Sequence, residues 1–282
     1  MKKPSRKSKH LPLTVVFLGG GRLTQAMVAG LTHRPTTPRK KSPAKFQLIV
    51  HDRHADQLRT LRRLGAKTES NLQPAVEAAD ILLIAVRPNS VKELLASLHL
   101  EKKRPPLLVS LAAGIPLDRL RGELGPPVKW ARAMPSPACR TGQGLTALAF
   151  DVTLTPADRK TIRALFAALG AVVEIPENVF DVFTVTYSVS HGYYTLAALI
   201  TAATRLGLDP AAASAAAAHA LADGIVALRS SGTALDGLLQ EASTPGGIAA
   251  AVSASKDASG YTEVIERALQ AGIARARSMA KS

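Results

Sequence analysis

The apolar positions of this chain change habit near residue 176. Before it they gather in short runs separated by helix-spaced stretches; after it only helical spacing remains. Seven runs read as strands, over residues 15–18, 46–51, 81–86, 107–111, 128–133, 145–150 and 171–175. Between them the pattern predicts helices at 55–64, 71–79, 88–98, 116–124 and 155–169, with an earlier one carried by Leu23, Ala26, Met27 and Gly30. The helix at 155–169 has clear punctuation: Thr155 caps it, Pro156 takes its first position and Gly170 follows its end. Such alternation predicts an α/β domain with right-handed crossovers and a mostly parallel sheet. Helices are expected at 193–206, 210–229, 234–242, from 248 onward and at 262–279. Several are Ala-rich with little charge on more than one face, and a helix apolar on several faces must be covered by something. A second copy of the chain is the expected cover, as a homodimer or higher homo-oligomer. The resulting division is a basic, disordered tail at 1–12, an α/β domain at 13–176 and an all-α domain at 177–282.

The stretch TVVFLGGGRLTQAMVAGL, residues 14–31, carries the first chemistry. A buried strand runs straight into Gly19, Gly20 and Gly21, and a helix opens with Arg22 and Leu23. A turn without side chains lets backbone N–H groups approach a diphosphate at the positive end of a helix. Gly19 and Gly21 match the first two glycines of a dinucleotide fingerprint, and Thr24 stands where the third is expected. The other reading is a structural strand-to-helix turn. The second strand ends at Asp52 and Arg53, where such a fold meets the adenosine ribose. An acid there accepts from the 2′-OH and favours NAD, whereas an Arg holds a 2′-phosphate; with both present, NADP(H) is favoured over NAD(H). Asp52 also suits a helix cap. Ala85, Val86, Arg87 and Pro88, at the end of the third strand, and Ala112, after the fourth, are expected beside the cofactor.

Composition narrows the setting. The chain has 282 residues, 46% hydrophobic, with a formal net charge of +15. Eleven basic residues and no acidic ones precede position 46, mostly in the tail and the proline-broken segment 34–45. Aromatic residues make up only 4% and do not interleave with that charge, so nucleic acid is not an expected partner. The single cysteine, Cys139, excludes an internal disulfide and a Cys-rich zinc site, and reads as a packed thiol rather than a nucleophile. No apolar run approaches the ~18 residues of a membrane span, and no signal-peptide core follows the basic start. A cytoplasmic location without membrane contact is the expectation.

Five segments, in order, carry a family likeness. VVFLGGGRLTQAMVAGL resembles the FIGxGxMxxAxxxGL opening of pyrroline-5-carboxylate reductases. ADILLIAVRPNSV, LVSLAAGIPLDRL, RAMPSPACRTGQGLTAL and STPGGIAAAV are similar to that family's ADxxxLAVKPQ, VSxxAGxxxxxL, RxMPNTPxxxxxGxTxL and SPGGTT segments. The resemblance implies a Rossmann-type domain followed by a helical dimerisation domain, and reduction of a cyclic imine by hydride from a nicotinamide, without a metal. It places the substrate at the turn holding Gly246, Gly247, Ile248 and Ala249. There are departures from the pattern. MPNTP is Met134-Pro135-Ser136-Pro137 here, and the two Thr after SPGG are Ile248 and Ala249. The SGSGPAY segment gives way to Tyr187-Ser188-Val189-Ser190-His191-Gly192, and a Glu further along is Ala197. His191 and Tyr187 become the candidate proton donors and Ser190 a candidate substrate contact; a cap or packing role is the alternative for His191. Three readings follow: a proline-forming reductase, a reductase of another C=N substrate, or a cofactor-binding homologue without turnover.

Overall fold

The computed structural model describes residues 12–32, 46–100 and 105–281. Nearly all of the expected basic tail and the proline-broken loop up to Lys45 lie outside the described residues. By contacts the chain forms two compact units, one running to Thr184 and regaining the chain from Ile273, the other Val185–Gly272.

In the first unit eight strands form one sheet. They are β1 (Leu13–Leu18), β2 (Phe46–His51), β3 (Lys67–Glu69), β4 (Ile81–Ile84), β5 (Leu107–Ser110), β6 (Lys129–Pro135), β7 (Gly144–Phe150) and β8 (Gly170–Glu174). Their order is β3-β2-β1-β4-β5-β6-β7-β8. All neighbours are parallel except β6 and β7. The chain reverses direction across the sheet after β1, which makes the carboxyl end of β1 a switch point. The helices are α1 (Arg22–Thr32), α2 (Ala55–Arg63), α3 (Leu72–Ala78), α4 (Val91–Ala96), α5 (Leu117–Glu123), α6 (Pro156–Ala167) and α7 (Phe180–Thr186).

Side-chain alternation along β1 sorts the core into two layers. Val15 and Phe17 pack with Met27 of α1, Leu61 of α2, and Ile162 and Phe166 of α6. Val16 and Leu18 face the other way, onto Val76, Leu95 and Leu120 of α3, α4 and α5. These strands are buried on both faces, which is why they read as unbroken apolar runs. The predicted capping of α6 is present: Thr155 and Asp158 exchange hydrogen bonds, and Pro156 follows.

The second unit holds α8 (Ser190–Arg205), α9 (Pro210–Ser231), α10 (Leu235–Ala242), α11 (Ile248–Ala258) and the first part of α12 (Tyr261–Lys281). Helices α8, α10 and α11 bury no residue, and α9 buries only Ala213 and Ala217.

Four expectations need correction. β3 has no apolar run to announce it, because a three-residue edge strand buries too little. The segment at 88–98 is a 3-10 turn, Pro88–Ser90, followed by the shorter α4. α7 has no helical signature in the sequence, its Val and Thr content resembling a strand more than a helix. The statement that no apolar run reaches membrane length also fails: α9, at 22 residues, is long and apolar enough by length and composition. Its apolar character comes largely from alanine, a small side chain that also suits close helix packing.

A buried arginine ties α7 to the sheet. Arg132 of β6 donates to Glu177 Oε1 at 2.8 Å and to Asp181 Oδ1 at 3.1 Å. Its guanidinium lies 4.2 Å from the Phe180 ring centroid. Glu177 Oε1 also accepts from the Leu117 N–H, at the start of α5. From the last part of α12, Arg277 reaches the other oxygen of Asp181 at 3.5 Å. A charge as buried as Arg132 is tolerated only with such partners.

Candidate dinucleotide site

The site is built where β1 ends. Gly19 holds φ at +113°, and a Cβ there would sit 2.6 Å from the Ala85 carbonyl oxygen, so only glycine fits. Its N–H donates to His51 and its carbonyl accepts from the Thr24 hydroxyl at 2.7 Å. Thr24 therefore replaces the third small residue of the fingerprint with a tie across the turn. Gly21 differs: a Cβ on it would meet nothing within 4 Å. Among the described residues the N–H groups of Gly21, Arg22 and Leu23 have no hydrogen-bond acceptor; the first helical bond is from Gln25 to Gly21. A helix N-terminus with unused amides beside open space fits a diphosphate.

Asp52 and Arg53 are brought to this turn, in different roles. Asp52 Oδ2 accepts from the Gly20 N–H at 2.6 Å. Its Oδ1 accepts from the His54 N–H at 2.7 Å and lies 2.9 Å from the His54 ring. Burial alone pushes the Asp52 carboxyl up; the His54 and Gly20 amides and the His54 ring outweigh it, so the group ionises below the usual carboxylate range. Three of about four acceptor positions on a carboxylate are thus used inside its own loop. Arg53 is exposed, and its guanidinium lies 4.0 Å from the Glu93 carboxylate of α4. Glu93 carries no sequence signal, since nothing in its spacing relates it to Arg53.

The strand ends fall in line. The Ala85 N–H donates to Leu18, which seats the end of β4 against β1. Val86 and Pro88 are half-buried and Arg87 is exposed. Ala112, after β5, is buried with its N–H on the Ser110 hydroxyl at 3.3 Å. Gly19, Gly21, Arg22, Leu23, Asp52, Arg53 and 85–88 thus share the carboxyl edge of three adjacent strands, β2, β1 and β4.

The expected substrate residues belong to the second unit. Tyr187, Ser190 and His191 lie at the junction of α7 and α8. His191 Nε2 is 2.8 Å from the Val185 carbonyl, so that nitrogen carries the hydrogen and closes the end of α7. That contact is a cap made by one ring nitrogen, and it engages only that nitrogen. Ser190 shares a 2.7 Å hydroxyl contact with Ser188. Gly246 has φ +76° and the Gly247 N–H donates to Thr244, which forms the tight turn ahead of α11. Ile248 and Ala249 open that helix and are exposed.

Fold and site together define a dinucleotide-binding α/β protein with a helical partner unit. Residues 14–114 match the model for NADP oxidoreductase, coenzyme F420-dependent, and residues 177–279 match pyrroline-5-carboxylate reductase dimerisation. Pyrroline-5-carboxylate reductase of Synechocystis is 28% identical over 94% of this chain and 97% of its own length. The crystal structure of 1-pyrroline-5-carboxylate reductase from Streptococcus pyogenes superposes with a TM-score of 0.79 at 23% identity, over 94% of this chain and 98% of that one. The Plasmodium falciparum pyrroline carboxylate reductase with NADP bound gives 0.72 at 19% identity, over 95% and 99%. The chain belongs to the pyrroline-5-carboxylate reductase family.

Proposed function

We propose that the protein is an NAD(P)H-dependent reductase acting on the C=N bond of a cyclic imine, with pyrroline-5-carboxylate, and hence proline, as the leading substrate and product. The observation that carries this is the open face at Gly21 with the unused amides of Gly21, Arg22 and Leu23, in a chain of this family. These amides would hold the diphosphate, with Arg22 and Arg87 adding positive charge, and 85–88 and Ala112 would line the approach of the ring. When bound, the reduced nicotinamide supplies hydride to the imine carbon. The chain's own part is positional: to hold the imine, keep water away and deliver a proton to nitrogen.

On the substrate side the turn at Gly246 and Gly247 and the amides of Ile248 and Ala249 are our candidates for the substrate's carboxylate, with Ser190 beside them. His191 keeps Nδ1 for proton traffic, since Nε2–H is given to Val185, and Tyr187 is the second candidate donor. Replacement of two Thr by Ile248 and Ala249 favours a second reading, in which a less polar imine is preferred. Arg53 favours NADP(H) over NAD(H), because Asp52 is largely spent within the loop. We divide the work between residues 13–176, for the dinucleotide, and 177–282, for dimerisation and substrate. Exposed apolar side chains on the helices, among them Tyr193, Tyr194, Ile225, Leu239 and Val252, support a homodimer. The single thiol suits a reducing cytoplasm.

The test is fluorescence titration with NADPH and NADH, followed by turnover with pyrroline-5-carboxylate and with pyrrolines lacking the carboxylate. Turnover of the carboxylate substrate supports the leading reading, and preference for the plain pyrrolines supports the second. Absence of cofactor binding at millimolar concentration overturns both. Arg53→Ala should erase any preference for NADPH.

A further inference from the structure

Arg53 follows β2, and Glu93 sits in the first turn of α4, beyond the end of β4. β1 lies between β2 and β4, so the Arg53–Glu93 ion pair joins the two segments that flank the glycine turn. Both side chains are largely exposed, and neither is braced by packing. Across this edge of the sheet the other arginines, Arg22 and Arg87, make no ion pair among the described residues. They stand at the ends of β1 and β4, where a diphosphate common to both nicotinamide cofactors would lie. Arg53 stands at the end of β2, where the two cofactors differ: one offers a ribose diol, the other a phosphate dianion.

We propose that Glu93 is a specificity-determining residue, holding the Arg53 guanidinium across the adenosine end of the cleft and yielding it when a 2′-phosphate arrives. This rests on the dinucleotide reading of the site and extends it. Binding of the phosphate form exchanges one anionic partner of Arg53 for another and brings a dianion near the released Glu93 carboxylate. The diol form requires neither. Glu93 thus reduces the preference for the phosphorylated cofactor that Arg53 creates, and it leaves the other cofactor untouched. The effect is on the scale of one exposed ion pair, about 2- to 5-fold in affinity.

The experiment measures dissociation constants for NADPH and NADH with the full-length protein, its Glu93→Gln and Arg53→Ala variants and the double variant. Glu93→Gln is expected to tighten NADPH by about 2- to 5-fold and leave NADH unchanged. In the Arg53→Ala background the gain should largely disappear, because the shared guanidinium is gone. The proposal is overturned if Glu93→Gln shifts both cofactors equally or neither, or if its gain survives intact without Arg53. Should the unaltered protein bind neither cofactor, the dinucleotide reading fails and takes this one with it. Binding of both with no response to Glu93→Gln removes this proposal alone.

Discussion

Replacing Asp52 by Ala tests whether this carboxylate braces the glycine turn or waits for a ribose. The side chain is mostly buried and accepts from the Gly20 N–H at 2.6 Å and from His54 through both its N–H and its ring. His54 is exposed, so water replaces what it loses. Gly20 is buried, and an orphaned buried N–H costs about 1–3 kcal/mol. The expected loss is therefore about 2 kcal/mol, roughly 4–8 °C in Tm for a unit of this size. pH adds an independent signature. The native Asp52 ionises below its unfolded value, so its contribution is present above about pH 4 and drains away as the pH falls through the lowered native value. Thermal and urea unfolding of the two proteins at neutral and acid pH should show a gap that narrows on acidification. An unchanged Tm together with a large loss of NADH affinity would refute the bracing role and restore Asp52 as a ribose ligand.

Other expectations are equally direct. Arg132→Ala takes from Glu177 its one ion-pair partner among the described residues and from Asp181 one of two arginines, and should cost about 3 kcal/mol in urea unfolding. Arg132→Met, which keeps volume but not charge, should leave Glu177 without its cation and Asp181 with Arg277 alone, and remain below the native protein. Gly30→Ala would place a Cβ 2.1 Å from the Cys139 carbonyl oxygen, so α1 must move from the turn it supports, at about 1–3 kcal/mol or more by chemical denaturation. Cys139 is buried and its thiol pKa is pushed up to about 11, first by that burial; it should resist a thiol reagent at neutral pH until the protein is unfolded.

The doubly buried strands were legible because burial on both faces writes itself as apolar runs, as in 81–84 and 107–110. The glycine turn was legible for a related reason: three adjacent glycines after such a run leave few structural alternatives. What escaped had no local signature. β3 is a polar edge strand, and α7 spells FDVFTVT, which suits a strand as well as a helix. The Arg132 cluster joins positions 132, 177, 181 and 277, and the Arg53–Glu93 pair joins a loop to a helix, so both depend on folding to meet. Asp52 was visible as a residue of interest, and its two readings, ribose ligand and cap, were both local. Its bond to Gly20, 32 positions away, belongs to neither.

The chain leaves the sheet-bearing unit at Val185 and re-enters it at Ile273. Gly114 shows how closely that return is fitted: a Cβ there would come within 2.2 Å of the Ala276 carbonyl oxygen. In topological terms the helices are an insertion with two stems, so neither stem is a disposable end. Clipping the polypeptide just before Ile273 would convert an inserted module into an appendage on a single stalk, and would strip Asp181 of one of its two arginines.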